Sequence, residues 1–127
     1  MFKTLLVEDN LNYRSVLKNA LLERFVDLET RESSGDGDTL ITVDAYIPDL
    51  VIMDIDLKSS VNGLDLTKQI KADHPETVVF ILSQYDVPEY RTVALQNGAD
   101  LFLSKSSSLE SIFGYVDTVI EHNHGSH

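Results

Sequence analysis

The chain has 127 residues, enough for one domain with a substantial core and too few for a closed eight-fold barrel. Its 21 acidic residues against 10 basic ones leave a formal net charge of -11, which opposes direct binding to a phosphate backbone and suits a site that attracts cations. The absence of cysteine excludes a disulfide framework, thiol chemistry and cysteine metal sites and favours the cytosol, and no apolar run approaches the roughly 20 residues that span a bilayer.

The first apolar run, Lys3–Val7, reads as a strand that starts almost at the first residue, so no signal peptide is expected. It exits into Glu8 and Asp9. A helix is expected from about Leu11 to Phe25, with Val16, Leu17, Ala20, Leu21 and Phe25 on its apolar face. Asp27–Glu32 is polar and alternating, the pattern of an edge strand, and a weakly patterned helix over about Asp38–Tyr46 stops before Pro48. Leu50–Met53 is continuously apolar and ends in Asp54, with Asp56 one residue further on. The helix from Gly63 stops near His74, because Pro75 disfavours a helical residue before it.

Thr77–Leu82 is the fourth strand, with Ser83 at its exit. The helix opening near "DVPE" has Asp86 as its expected cap and Glu89 three residues on, and closes at Asn97-Gly98, where glycine can take the left-handed cap conformation. Asp100–Ser104 is the fifth strand and leads into Lys105. The last helix begins with the capping-box pattern Ser107-x-x-Glu110 and carries the stripe Leu109, Ile112, Phe113, Val116 and Ile120. One domain is expected over residues 1–121, followed by a disordered tail or cloning remnant over 122–127. His122, His124 and His127 are read as part of that tail rather than as a metal site, and His74 as a helix-end residue.

Strands that alternate with helix-period segments define a parallel sheet wrapped by helices, and right-handed crossovers make a doubly wound (βα)₅ sandwich the leading arrangement. Functional groups gather beyond the carboxyl ends of the strands in such a sheet. Glu8, Asp9 and Asp54 should therefore converge on one edge. Like charges at short range either raise a pKa or recruit a cation. Oxygen-only ligands favour a hard ion, Mg²⁺ over Zn²⁺. The Ser83 hydroxyl and Lys105 ammonium at neighbouring strand ends would complete a pocket for an anion that also touches the metal, and phosphoryl is the obvious one.

The pieces "LLVEDN", "DLVIMDIDL", "NGLDL", "VVFILS" and "QNGADLFLSK", in this order, make residues 2 to about 121 resemble a response-regulator receiver domain of two-component signalling. The resemblance implies a flavodoxin-like five-stranded parallel sheet in the order 2-1-3-4-5. It implies that Asp54 accepts phosphoryl from a histidine kinase or phosphotransfer protein. The metal, Mg²⁺ with Mn²⁺ as the alternative, would be held by Glu8, Asp9, Asp54 and the backbone carbonyl of Asp56. Ser83 and Lys105 would bind the phosphoryl oxygens. Ser83 and Phe102 would form the switch, the aromatic turning inward as the hydroxyl moves toward the phosphate. The face made by helix four, strand five and helix five would then change for partners or for a homodimer. Such a domain is no enzyme beyond accepting phosphoryl and losing it again, acts in the cytoplasm, and reaches DNA only through another domain.

The sequence departs from the family pattern in places. Gln84 replaces the usual small residue after Ser83, and with Tyr85 it would modulate access to the phosphoryl path. The loop "LKSSVNG" lacks the frequent proline, and Ser106 stands where proline usually follows the lysine. Phe102 has no hydroxyl, so its switching would rest on packing alone. Taken singly, most of these residues have plainer readings: Glu8-Asp9-Asn10 as a solvated turn, Ser83 as a strand-end cap, Lys105 as a surface lysine, Phe102 as core. Two rivals stand. "VIMDIDL" also fits the hhhDxD signature of haloacid-dehalogenase-type phosphatases, with Asp54 as nucleophile and Asp56 as general acid. Lys58, the acidic pair placed before the nucleophile, and the lack of a cap region count against it. The other rival is a receiver fold that signals without phosphorylation.

Overall fold

The computed structural model describes residues 1–35, 37–55, 62–85 and 87–125. Its elements alternate in chain order: β1 (Phe2–Val7), α1 (Leu11–Arg24), β2 (Leu28–Ser33), α2 (Thr39–Tyr46), β3 (Leu50–Asp54), α3 (Gly63–Asp73), β4 (Val78–Ser83), α4 (Pro88–Gln96), β5 (Leu101–Ser104) and α5 (Leu109–Gly125). All four strand pairs are parallel and the sheet order is β2-β1-β3-β4-β5, so the expected doubly wound, flavodoxin-like fold is present. β2 is an edge strand, as its alternating polar sequence requires, and only its two end residues, Leu28 and Ser33, are buried.

Side-chain alternation along the strands divides the core into two layers. On one face Phe2, Leu6, Ile52, Phe80 and Leu82 pack against Leu17, Leu21 and Phe25 of the first helix and its C-cap and against Ile112, Phe113 and Val116 of the last. On the other, Leu5, Val7, Val51, Met53, Val79 and Ile81 meet Val43, Leu66, Ile70 and Ala94 from α2, α3 and α4. The central strands are apolar on both faces because helices cover both.

Three local expectations change. Val16 is 57% exposed, because the buried face of α1 follows the four-residue spacing Leu17–Leu21–Phe25 and Val16 stands about 100° off it. Extending that row backwards reaches Tyr13, which does pack against the core. The N-cap of α4 is Val87, with no side-chain cap bond, and Asp86 lies outside the described residues. The cap of α5 falls one residue later than expected: the Ser111 N–H donates to Ser108 Oγ at 3.2 Å. α5 runs through His122 to Gly125, with Val119 and Ile120 packed against the core. Asp56, residues 57–61 and His127 are outside the described residues. The expected left-handed close of α4 is present, at Gly98 with φ 102°. Among the described residues no helix is long and apolar enough to cross a membrane.

Thr4, in the middle of β1, is fully buried and its hydroxyl has no hydrogen-bond partner among the described residues. A buried hydroxyl without a partner forfeits its hydration for nothing in return. Thr4→Val should therefore stabilise the fold by about 1 kcal/mol, raising the thermal midpoint by about 3 °C; a lower midpoint in a melting experiment would contradict this.

Candidate functional site

The register of the sheet builds the site. Leu6 pairs with Ile52 and Val7 with Met53, which sets Glu8 beside Asp54 as β1 and β3 end together. Ser83 pairs with Ser104, so Lys105 leaves β5 level with the exit of β4. The Lys105 N–H donates to the Ser83 carbonyl at 2.8 Å and ties the two exits. The turn after Lys105 is closed by the Ser107 N–H on the Ser104 carbonyl at 2.9 Å, so Ser106 serves where proline is usual.

Carboxylate oxygens of Glu8, Asp9 and Asp54 lie within 4.8 Å of one another. Glu8 and Asp54 are each only 3% exposed. The Lys105 ammonium reaches both, at 2.7 Å from Glu8 Oε1 and 3.3 Å from Asp54 Oδ2. Burial, and then the hydrogen bond with Asp54, push the Glu8 carboxyl up to about 7 against the opposing pull of Lys105. Burial works against the Lys105 charge, but Glu8 and Asp54 outweigh it and hold its pKa above the usual lysine range. Near neutral pH the pair of carboxyls thus tends to keep a proton in place of a second cation. Oxygen ligands with one positive charge too few are a fit for a hard divalent ion.

Glu8 is held on every side. Its N–H donates to the Ser33 carbonyl at 3.0 Å, and its Oε2 accepts from the Asn10 N–H at 3.1 Å. Arg14 donates to the Glu8 carbonyl at 3.0 Å while its Nε lies 3.2 Å from Glu32. Asn10 caps α1 by accepting from the Tyr13 N–H at 3.0 Å.

Ser83 is buried, and its hydroxyl donates to the Tyr85 carbonyl at 2.8 Å and accepts from the Tyr85 N–H at 3.1 Å. It stands at the site but is turned into its own loop. Gln84 and Tyr85 follow it at the surface, Tyr85 being 53% exposed. Phe102 is buried in the helix-covered layer with Ala94, and the Arg91 guanidinium lies over its ring at 5.1 Å. Phe102 is thus packed inward in the same structure in which Ser83 bonds Tyr85. Asp56 is outside the described residues.

Two residues near the site escaped sequence reasoning. A Cβ at Gly63 would lie 2.6 Å from the Asp54 carbonyl oxygen and 2.7 Å from Ile55 Cα, so only glycine lets α3 start this close to the end of β3. The "NGLDL" motif carried that signal without its reason. The other is Tyr13, whose ring lies 4.7 Å from the Lys105 ammonium. Its row on α1 could have been read from Leu17.

A parallel sheet with an acidic cluster and a lysine at its carboxyl edge defines a class of phosphoryl-handling regulatory domains, and the comparisons agree. The family model "Response regulator receiver domain" matches residues 4–117, and the chain belongs to that family. It is the receiver domain of a two-component response regulator. It is 33% identical over 94 residues to oxygen regulatory protein NreC of Staphylococcus carnosus, covering 73% of this chain and 43% of NreC; the chain thus spans less than half the length of that relative. The CheY-like receiver domain protein of Methanospirillum hungatei superposes with a TM-score of 0.89 at 18% identity, covering 100% of this chain and 99% of that one. A response regulator from Burkholderia pseudomallei, with a phosphorylated aspartic acid, a calcium ion and citrate, superposes with a TM-score of 0.81 at 23% identity over 89% of this chain and 65% of that one.

Because Glu8 titrates near 7 in the folded state and at an ordinary carboxyl value in the unfolded chain, the native state holds the extra proton between the two. Metal-free stability should therefore fall as pH rises from about 4.5 to about 7, the reverse of a salt-bridged carboxylate. Denaturant titrations across that range should show the slope in the wild type and lose it in Glu8→Gln. Gly63→Ala should cost roughly 1–3 kcal/mol by overpacking against the Asp54 backbone, and an unchanged unfolding midpoint would refute the close approach.

Proposed function

We propose that Asp54 is the phosphoacceptor and that a histidine kinase or phosphotransfer protein is the donor. The observation that carries this reading is the Lys105 ammonium set between two buried carboxylates, with Asp9 completing an oxygen cluster. An Asp54 carboxylate oxygen attacks phosphorus in line, the P–N bond of the donor phosphohistidine breaks, and its electron pair returns to the imidazole, which is reprotonated. Lys105 stays close enough to offset charge on the transferring oxygens.

Glu8, Asp9 and Asp54 would hold Mg²⁺, with Mn²⁺ as a substitute and the Asp56 carbonyl as the further ligand the family resemblance implies. Such an ion would supply positive charge against the phosphoryl oxygens, and Glu8 would hold it as a carboxylate. The Burkholderia protein, which carries a phosphorylated aspartic acid and a calcium ion, supports a divalent ion in such a domain.

Ser83 answers phosphorylation by leaving the Tyr85 carbonyl for a phosphoryl oxygen, so the turn holding Gln84 and Tyr85 is the element released. Ser83 and the buried Phe102 together form the switch that carries the signal toward the α4–β5–α5 face. There Tyr90, Val93 and Tyr115 stand exposed for a partner or a homodimer. The domain works in the cytoplasm and needs a further domain to act on DNA.

Incubation with Mg²⁺ and acetyl phosphate, followed by intact-mass measurement, should add one phosphoryl group to the wild type and none to Asp54→Asn. Asp56→Asn should still be labelled. No mass gain on the wild type would favour a phosphorylation-independent module, and turnover of a generic phosphate ester that is lost in Asp56→Asn would favour the phosphatase.

A further inference from the structure

We infer that Tyr13 is a positioning residue for Lys105, holding the ammonium at the mouth of the acidic pocket through a cation–π contact. The inference rests on the phosphoacceptor reading and extends it to a side chain outside the acidic cluster. Four contacts close a ring. Lys105 Nζ meets Glu8 Oε1 at 2.7 Å; Glu8 Oε2 accepts from the Asn10 N–H at 3.1 Å; Asn10 Oδ1 accepts from the Tyr13 N–H at 3.0 Å; and the Tyr13 ring returns to Lys105 at 4.7 Å. The Asn10 cap thus orients a carboxylate and an aromatic ring toward the same ammonium.

The ring does what the carboxylates cannot. A divalent ion on Glu8, Asp9 and Asp54 draws on the same oxygens that hold Lys105, and phosphoryl transfer consumes an Asp54 oxygen outright. An aromatic face is neutral and no metal ligand, so its attraction for the ammonium survives both events. Tyr13 is also anchored from behind, since it packs against the layer built by Leu17, Leu21 and Ile112. Burial raises its own hydroxyl pKa, and the neighbouring Glu8 and Asp54 charges add to that against the pull of Lys105, so the phenol stays neutral. Lys105 meanwhile has a flexible four-carbon stem and, without the ring, would sample solvent once its carboxylate partners are engaged.

The test is the rate of phosphoryl acceptance from acetyl phosphate with Mg²⁺, followed by intact mass, in wild type, Tyr13→Phe, Tyr13→Leu, Lys105→Ala and the Tyr13→Leu/Lys105→Ala double variant. Tyr13→Leu should react roughly fivefold more slowly, the size expected for one cation–π contact. Tyr13→Phe, which keeps the ring, should stay within about twofold of wild type on the same scale. In the Lys105→Ala background the leucine substitution should change nothing further, because its effect runs through the lysine. Equal rates for wild type and Tyr13→Leu would overturn the inference and leave the phosphoacceptor reading standing. So would a loss in Tyr13→Leu that adds in full to that of Lys105→Ala, the mark of a purely structural role. A wild type that never gains mass would remove the reading and this inference together. The upfield ring-current shift of the Lys105 ε-methylene protons, present in wild type and Tyr13→Phe and absent in Tyr13→Leu, checks the contact without any phosphodonor.

Discussion

One ammonium among buried carboxylates governs this molecule. Taking Glu8 and Asp54 out of water carries a desolvation cost of several kcal/mol for each ionised group, and Lys105 meets that cost only in part. The remainder appears as the proton that Glu8 keeps to about pH 7. An under-compensated site of this kind favours a divalent cation in place of the proton.

Much of the surrounding structure serves to hold that imbalance in place. The parallel register delivers Glu8, Asp54, Ser83 and Lys105 to one edge of the sheet. Arg14, Asn10 and the Ser33 carbonyl fix the Glu8 turn from both sides. Gly63 lets α3 begin against the Asp54 backbone, where any side chain would collide. The site therefore rests on rigid strand ends and helix starts. The turn after β4 is short and is closed by the two Ser83–Tyr85 hydrogen bonds.

Phe102 and Ser83 stand at the two switch positions that the family resemblance implies. Phe102 has no hydroxyl, packs in the core and carries the Arg91 guanidinium on its ring. Ser83 closes the turn after β4 through Tyr85.

The sequence by itself determined the order of the elements, the edge position of β2 and the acid, hydroxyl and lysine positions at the strand exits. These follow from local rules: period-two and 3.6-residue apolar spacing, and the tendency of polar groups in parallel sheets to collect at carboxyl ends. It misjudged Val16 and the caps of α4 and α5, because one-residue differences in phase are decided by what a helix packs against. Only the tertiary structure decided which partner each site residue takes. That Lys105 lies on Tyr13 as well as on Glu8 and Asp54 is a contact between segments far apart in the chain, and it exists only once the strands have been brought into register. That Ser83 bonds Tyr85 and that α3 starts against the Asp54 backbone are local geometries that the surrounding packing selects.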